Sequence, residues 1–436
     1  MQTNFSPAQL SDPGVRYSET VLRRCVHCGF CTATCPTYVL LGDELDSPRG
    51  RIALIKNMLE EGLAPAAETV KHIDRCLSCL SCVTTCPSGV DYMHLVDHAR
   101  GFIEKHYRRP FAERALRRFL SRVLTSPSRL RLALYAACLA RPLAPLMPRP
   151  LRPVFALAPH RLPSRSRLEK PQVFPAVGKR RLRAALLPGC AQRVLRPQIN
   201  EATIRLLCRL GCEVVVLREC RCCGSLDHHL GQEEEALSFA RATIDACESE
   251  RAQNGLDAVI VNAAGCGTTV KDYGFMLRGD PAYAEKAARV SSLARDPSEV
   301  VGALGLSSPN RNGKGLKVAY HSACSLQHGQ KLHKEPKKLL EAAGFLALDV
   351  PEGHLCCGSA GTYNLLQPGI AEALRQRKLA HIRALEPDLV AAGNIGCIVQ
   401  LEKDSPAPVV HTVELLDWAT GGPEPSALAA RAGRKP

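Results

Sequence analysis

Cys25-Val-His-Cys28-Gly-Phe-Cys31-Thr-Ala-Thr-Cys35-Pro36 decides how this chain is read. The pattern returns fifty-one residues later as Cys76-Leu-Ser-Cys79-Leu-Ser-Cys82-Val-Thr-Thr-Cys86-Pro87. Both copies read C-x-x-C-x-x-C-x-x-x-C-P. Three closely spaced thiolates of this kind wrap one 4Fe–4S cube, and the fourth cysteine, turned away by its proline, ligates the other cluster. The spacing therefore assigns Cys25, Cys28, Cys31 and Cys86 to one cube, and Cys76, Cys79, Cys82 and Cys35 to a second. Zinc sites or a disulfide framework are the competing reading. Zinc sites usually pair two C-x-x-C units across a longer loop, which three thiols in seven residues followed by Cys-Pro do not match.

The chain around these motifs has 436 residues and 21 cysteines, enough for roughly two to four domains. Residues 1–24 contain no basic stretch followed by an apolar run, so no signal peptide is visible. The expectation is a reducing, cytoplasmic setting, in which clustered cysteines are metal ligands or redox groups. No run approaches the roughly twenty apolar residues needed to span a bilayer, which leaves a soluble or peripheral protein. The net charge of +15 is concentrated: residues 100–183 hold 21 Lys and Arg against three acids, so the remainder is slightly acidic. The basicity belongs to one segment and not to the fold as a whole.

These features divide the chain into residues 1–109, carrying both cysteine motifs; 110–182, a basic proline-rich linker with amphipathic helices; two repeated modules, 183–312 and 313–420; and a flexible tail, 421–436. Between the motifs, Ser47 as cap, Pro48 in the first turn and Gly62 after the last apolar position predict a helix of about three turns. That helical spacer points to an all-helical two-cluster module rather than a small β-rich one. Helices are predicted near 113–124 and 128–139 in the linker. The many prolines from Pro142 to Pro175 break regular structure beyond them.

The second half is an internal repeat. Cys190, Cys222-Cys223-Gly224 and Cys266 are matched by Cys324, Cys356-Cys357-Gly358 and Cys397, with 32 residues from first to second cysteine in both copies. Short Val-, Leu- and Ile-rich runs at 183–187, 213–217, 257–262, 316–320, 345–350 and 388–392 alternate with helical patterns. That alternation predicts two α/β modules with parallel sheets. The cysteines fall just after the strands, at the edge where open α/β sheets bind ligands. Each set of four thiols is thus a candidate metal, cluster or redox site. His321 and His354, close to Cys324 and Cys356, are candidate extra ligands, although a lone histidine in a loop is more often polar surface; His228 and His229 read the same way. Of the cysteines outside both patterns (Cys138, Cys208, Cys212, Cys220 and Cys247), Cys220 has a claim to a site, and Cys208 and Cys247 read as packing.

No dinucleotide-binding glycine motif, Walker loop or nucleophile–base arrangement is present, and no catalytic residue is assigned. The chain carries wiring and no visible substrate pocket, as expected of an electron-transfer subunit whose organic chemistry lies on a partner. Low aromatic content and a proline-broken basic segment argue against a nucleic-acid-binding role.

The run 25–38 continues into Leu41-Gly-Asp-Glu-Leu-Asp-Ser-Pro-Arg-Gly-Arg51. With Leu355-Cys-Cys-Gly-Ser-Ala-Gly-Thr-Tyr363 it resembles the iron–sulfur subunits of bacterial glycolate oxidase. The resemblance covers most of the chain and is weakest in the basic linker. It implies a complex with flavoprotein subunits that carry FAD and oxidise glycolate to glyoxylate, and electron transfer through two 4Fe–4S clusters toward a quinone-type acceptor. The repeat is also similar to the cysteine-rich modules of heterodisulfide reductase. Those end in C-x-x-C, where this chain has Thr269 and Gln400 at the last position. Subunits of lactate- or glycerol-3-phosphate-oxidising complexes, and a thiol reductase of the heterodisulfide type, share most of these motifs. The basic segment, with Leu130, Leu132, Leu134, Tyr135 and Leu139 on one of its helices, suggests attachment to the anionic inner face of the membrane or to an acidic partner.

Overall fold

The computed structural model describes residues 1–140, 162–306 and 312–432. Most of the expected proline-broken stretch and the end of the expected tail lie outside them.

Proline placement and capping make the N-terminal unit all-helical. Helices Pro13–Arg24, Pro36–Leu41, Pro48–Glu61, Ala67–Asp74, Ser81–Thr85 and Tyr92–His106 surround a core that includes Leu22, Ile55, Ile73, Leu95 and Ile103. As the sequence predicts, the Ser47 side chain accepts from Gly50 N, Pro48 opens the helix and Gly62 closes it at φ 64°. Both motif loops use the same backbone: His27 and Gly29 in one, Ser78 and Leu80 in the other, all have positive φ. Left-handed residues at alternate positions turn successive N–H groups to one side, as anion-binding nests do. Three of these four are not glycine, so the loops hold strain of the kind found at functional sites.

The second half contains two sheets. The first is built of β1 (Gln172–Phe174), β2 (Leu182–Leu186), β3 (Cys212–Val216), β4 (Ala258–Ile260) and β5 (Ala294–Arg295). The second is built of β6 (Lys317–His321), β7 (Leu346–Asp349), β8 (Leu389–Ala392) and β9 (Val409–His411). The first runs β1-β3-β2-β4-β5 and the second β7-β6-β8-β9. All neighbours are parallel except β1, which pairs antiparallel with β3. Apart from β1, the two orders are identical, which is the internal repeat in three dimensions. The first sheet begins ahead of residue 183, because β1 comes from the segment read as linker.

The two modules bury one continuous apolar core, including Leu186, Val214 and Val216 from one and Tyr320, Leu389 and Val410 from the other. Helices Gln198–Arg209 and Thr412–Ala419 close the contact, with Arg205 donating to Asp417 at 2.7 Å and Arg209 also on that carboxylate. The expected tail is partly structured: helix Ser426–Ala432 lays Ala427 and Leu428 on the same core.

The basic segment forms helices Phe111–Leu124 and Pro127–Ala140. Its presumed lipid-facing surface needs correction. Leu130 and Leu134 are buried against Val194 of the first module, while Leu132, Tyr135 and Leu139 remain exposed. Several of its cations are also committed. Arg109 and Arg117 donate to Asp74 at 2.6 and 2.9 Å, and Arg131 donates to the Pro163 carbonyl at 2.6 Å. Among the described residues, no helix is long and apolar enough to cross a membrane.

Candidate metal centres

Two cavities open between the N-terminal helices. The first is lined by Cys25, Cys28, Cys31 and Cys86; the second by Cys35, Cys76 and Cys79; Cys82 stands on the wall shared by both. The fourth cysteine of each motif therefore faces the cavity of the other copy.

The environments differ. Cys28 is exposed, and Val26 and Phe30 beside it are 68% and 65% exposed, so the first cavity meets the surface. The second is interior. Arg51, 1% exposed, reaches Cys35 Sγ at 3.7 Å and donates to Asp46 at 3.2 Å, to Thr37 at 3.0 Å and to the His72 carbonyl at 2.7 Å. Burial opposes its charge, but Cys76, Tyr92, Cys35 and Asp46 hold its pKa above the ordinary value. Such a guanidinium offsets negative charge on the second set of sulfurs.

Burial, with neighbouring thiols, pushes Cys31 up to about 11 and raises Cys79 and Cys82 well above their usual value. Sulfurs packed in this way ionise only with a cation to compensate them, as metal coordination does outright. Donor set, nest-like loops and buried arginine all fit iron–sulfur ligation.

In the modules, all four sequence-distant thiols of each set converge at the C-terminal ends of three adjacent strands. Cys190 and Cys222 lie 3.6 Å apart, and the row continues through Cys223 to Cys266. Cys324 and Cys356 lie 3.8 Å apart, and the row continues through Cys357 to Cys397. Gly224 (φ 82°) and Gly358 (φ 88°) make the turns, each so close to a helix that a Cβ would clash with the carbonyl oxygen of Ala236 or Ala371. The Gly224 and Gly358 amides donate to the sulfurs of Cys222 and Cys356 at 3.5 and 3.4 Å.

The structure separates the four histidines. His321 is 1% exposed and lies with Cys357 and Cys397, their ligand atoms all within 4.8 Å of one another. Burial, then Lys378, pushes its pKa down to about 3. His354 offers its carbonyl to His328 and does not join that group. His228 and His229 sit on Asp97 at 3.2 and 3.7 Å. Cys220 neighbours Cys247, whose thiol it raises, and stays outside the row; Cys208, Cys212 and Cys247 are buried as packing.

Sequence reasoning missed Lys378, which is 2% exposed, donates to the Glu352 carbonyl at 2.6 Å and interacts with Cys357, Cys356 and Cys324. It also missed the contacts that dock the N-terminal unit on the modules. Cys79 and Leu77 share an apolar cluster with Cys356, Tyr363 and Cys324; Tyr363 donates to the Arg75 carbonyl at 3.0 Å; Thr84 meets His328 at 2.7 Å. On the other side His94 bridges Asp91 at 2.6 Å and Asp272 at 2.9 Å, stacked on Phe275.

An all-helical unit with two sets of four thiols, followed by paired cysteine-rich α/β modules, defines an iron–sulfur electron-transfer protein. Comparison with known proteins agrees. Residues 21–90 match the 4Fe-4S dicluster domain family, and 184–271 and 318–402 each match the cysteine-rich domain family. The glycolate oxidase iron-sulfur subunit of Escherichia coli (strain K12) is 42% identical over 96% of this chain and 99% of its own length. A probable glycolate oxidase iron-sulfur subunit of Bacillus subtilis (strain 168) is 31% identical over 92% of this chain and 94% of its own. Lactate utilization protein A of Bacillus licheniformis is 26% identical over 54% of this chain and 99% of its own. A hypothetical protein from Helicobacter pylori shares the fold, with TM-score 0.54 at 11% identity, over 95% of this chain and 74% of that one. The chain belongs to the glycolate oxidase iron–sulfur subunit family.

Proposed function

We propose that this chain is the electron-transfer subunit of a complex that oxidises glycolate to glyoxylate, and that it holds two 4Fe–4S clusters. Cys25, Cys28, Cys31 and Cys86 ligate one, and Cys76, Cys79, Cys82 and Cys35 the other. The reading is carried by the two adjacent cavities, each bordered by thiols from both motifs. Bound clusters supply one-electron carriage, and the two-electron oxidation of the hydroxy acid belongs to FAD on flavoprotein partners.

The chain's own residues set the order of stations. Val26 and Phe30 around exposed Cys28 give the first site an apolar face for the flavoprotein, because transfer between proteins needs close approach. The second site is insulated by buried Arg51 and Tyr92 and abuts the thiols of the second module. The sets Cys190, Cys222, Cys223, Cys266 and Cys324, Cys356, Cys357, Cys397 are further metal or thiol sites near that route, with a quinone-type acceptor beyond. Exposed Leu132, Tyr135 and Leu139, with exposed Arg122 and Arg129 nearby, give the complex a peripheral hold on the inner face of the membrane.

Lactate utilization protein A aligns with only about half of this chain, so glycolate is the favoured substrate. The test is the anaerobically purified complex: iron and sulfide content, flavin on a co-purifying chain, and glycolate-dependent reduction of a quinone analogue. Changing Cys356 and Cys357 to serine should lower that flow and leave the EPR signals of both cubes intact. A colourless, iron-free complex, or one that oxidises lactate but not glycolate, contradicts the proposal.

A further inference from the structure

We propose that His321 is a metal ligand, completing with Cys357 and Cys397 a thiolate–imidazole centre for zinc or iron that the first module lacks. The inference rests on the reading that the second module's thiols bind metal, and it names a donor that reading does not contain.

Three adjacent strands supply the three groups. His321 ends β6, Cys357 lies in the turn after β7, and Cys397 sits in the first turn of helix Ile395–Glu402 after β8. Their ligand atoms lie within 4.8 Å of one another, and all three residues are buried. One ion can contact all three. Cys356 and Cys324 follow in the same row, so further sulfur ligands are at hand.

The imidazole itself carries the argument. Among the described residues, neither His321 Nδ1 nor Nε2 has a hydrogen-bond partner, although the ring is almost wholly shut off from water. Each of the other buried histidines has at least one ring nitrogen bonded, His72 through Nδ1 to Asp46 at 2.9 Å. His411 Nε2 donates to the Asn262 carbonyl at 2.9 Å and its Nδ1 accepts from Val413 N at 3.2 Å; His328 Nδ1 meets the Thr84 hydroxyl at 2.7 Å. A buried ring with two unmet nitrogens is costly, and a metal ion satisfies one of them directly. Two sulfurs and one imidazole nitrogen form a borderline-soft set suited to zinc and iron and not to calcium or magnesium.

The place where a C-x-x-C would put its last thiol is already engaged. Gln400 donates to the Ala371 carbonyl at 3.3 Å and accepts from Asn364 at 3.0 Å. His321 approaches from the neighbouring strand instead. In the first module the residue three before the first cysteine is Leu187, and that set has no imidazole.

The full chain, purified anaerobically with its partners, is analysed for zinc and iron by mass spectrometry and by X-ray absorption at the edge of the metal concerned. His321→Leu should lose the same metal that Cys357→Ser loses, while the EPR signals of the N-terminal cubes stay unchanged. His321→Cys should keep the metal but lose the scattering signature of imidazole, a readout independent of any loss of folding in the leucine variant. If His321→Leu keeps its metal while Cys357→Ser loses it, or if the wild type shows no imidazole scattering at that edge, the histidine proposal is overturned. If neither variant nor Cys397→Ser loses metal, the thiol-site reading beneath it falls as well.

Discussion

The two cysteine-rich modules share strand order, the row of four thiols and a glycine held against a helix carbonyl, yet their thiols sit in different company. Seven residues after the alanine beneath each glycine, the first module has Thr243 and the second Lys378. Where the first has Leu187, the second has His321. The second set also touches Cys79 of the N-terminal unit, whereas the first module meets that unit through charged side chains, His94 on Asp272 and His228 on Asp97. A duplicated backbone thus fixes where four sulfurs meet, and a few neighbouring side chains decide what the sulfurs can do.

The shared cradle should show the largest effect, and the same effect in both copies. Gly224→Ala and Gly358→Ala each combine a left-handed backbone with a carbonyl clash, and each should cost about 3 kcal/mol. Thermal unfolding followed by circular dichroism would check this. A large loss in one module and none in the other would mean that the two turns are not equivalent.

Protonation should separate the junctions. Burial opposes charge on His94, but Asp272 and Asp91 raise it to about 9. Its stabilisation is complete below the ordinary histidine value of about 6.5 and is lost as pH rises through 9, on the order of 2 kcal/mol. His411, which ties the second module to Asn262 of the first, is lowered to about 4 by burial. Its contribution is present above about 6.5 and lost as pH falls toward 4. Hydrogen exchange should therefore show alkali loosening helix Tyr92–His106 against the first module, and acid loosening β9 against Asn262. His94→Gln should abolish only the alkaline effect.

The smallest effects concern the helix that docks on the first module. Leu130→Ala, in the contact with Val194, should cost about 2 kcal/mol. Leu139→Gln, 83% exposed, should change stability by less than about 0.5 kcal/mol. If the helix holds the complex at a membrane, Leu139→Gln should instead reduce flotation with anionic vesicles at low salt.

What the sequence could reveal follows the same division. The cluster motifs were legible because their ligands are held by spacing a few residues apart, and the repeat because cysteines and glycines recur at matched intervals. Strands β2, β3, β4, β6, β7 and β8 were legible as apolar runs; β1, β5 and β9 were not, because two or three residues leave too little pattern unless, as at β4, further apolar residues flank them. His321 was legible only as one of two candidate ligands beside His354, since only the β7-β6-β8 order brings it to Cys357 and Cys397. Which cations of the basic segment are already paired was not legible for a similar reason. Asp74 lies 35 residues from Arg109 and 43 from Arg117, and composition cannot reveal partners at that distance.

The central claim is that each of two clusters draws ligands from both motifs. Reductive titration followed by EPR, on the anaerobically purified complex, tests it by comparing Cys35→Ser with Cys79→Ser and Cys28→Ser. The account predicts that Cys35→Ser perturbs the signal lost in Cys79→Ser and spares the one lost in Cys28→Ser. Loss of the Cys28 signal in Cys35→Ser, with the Cys79 signal intact, would contradict it.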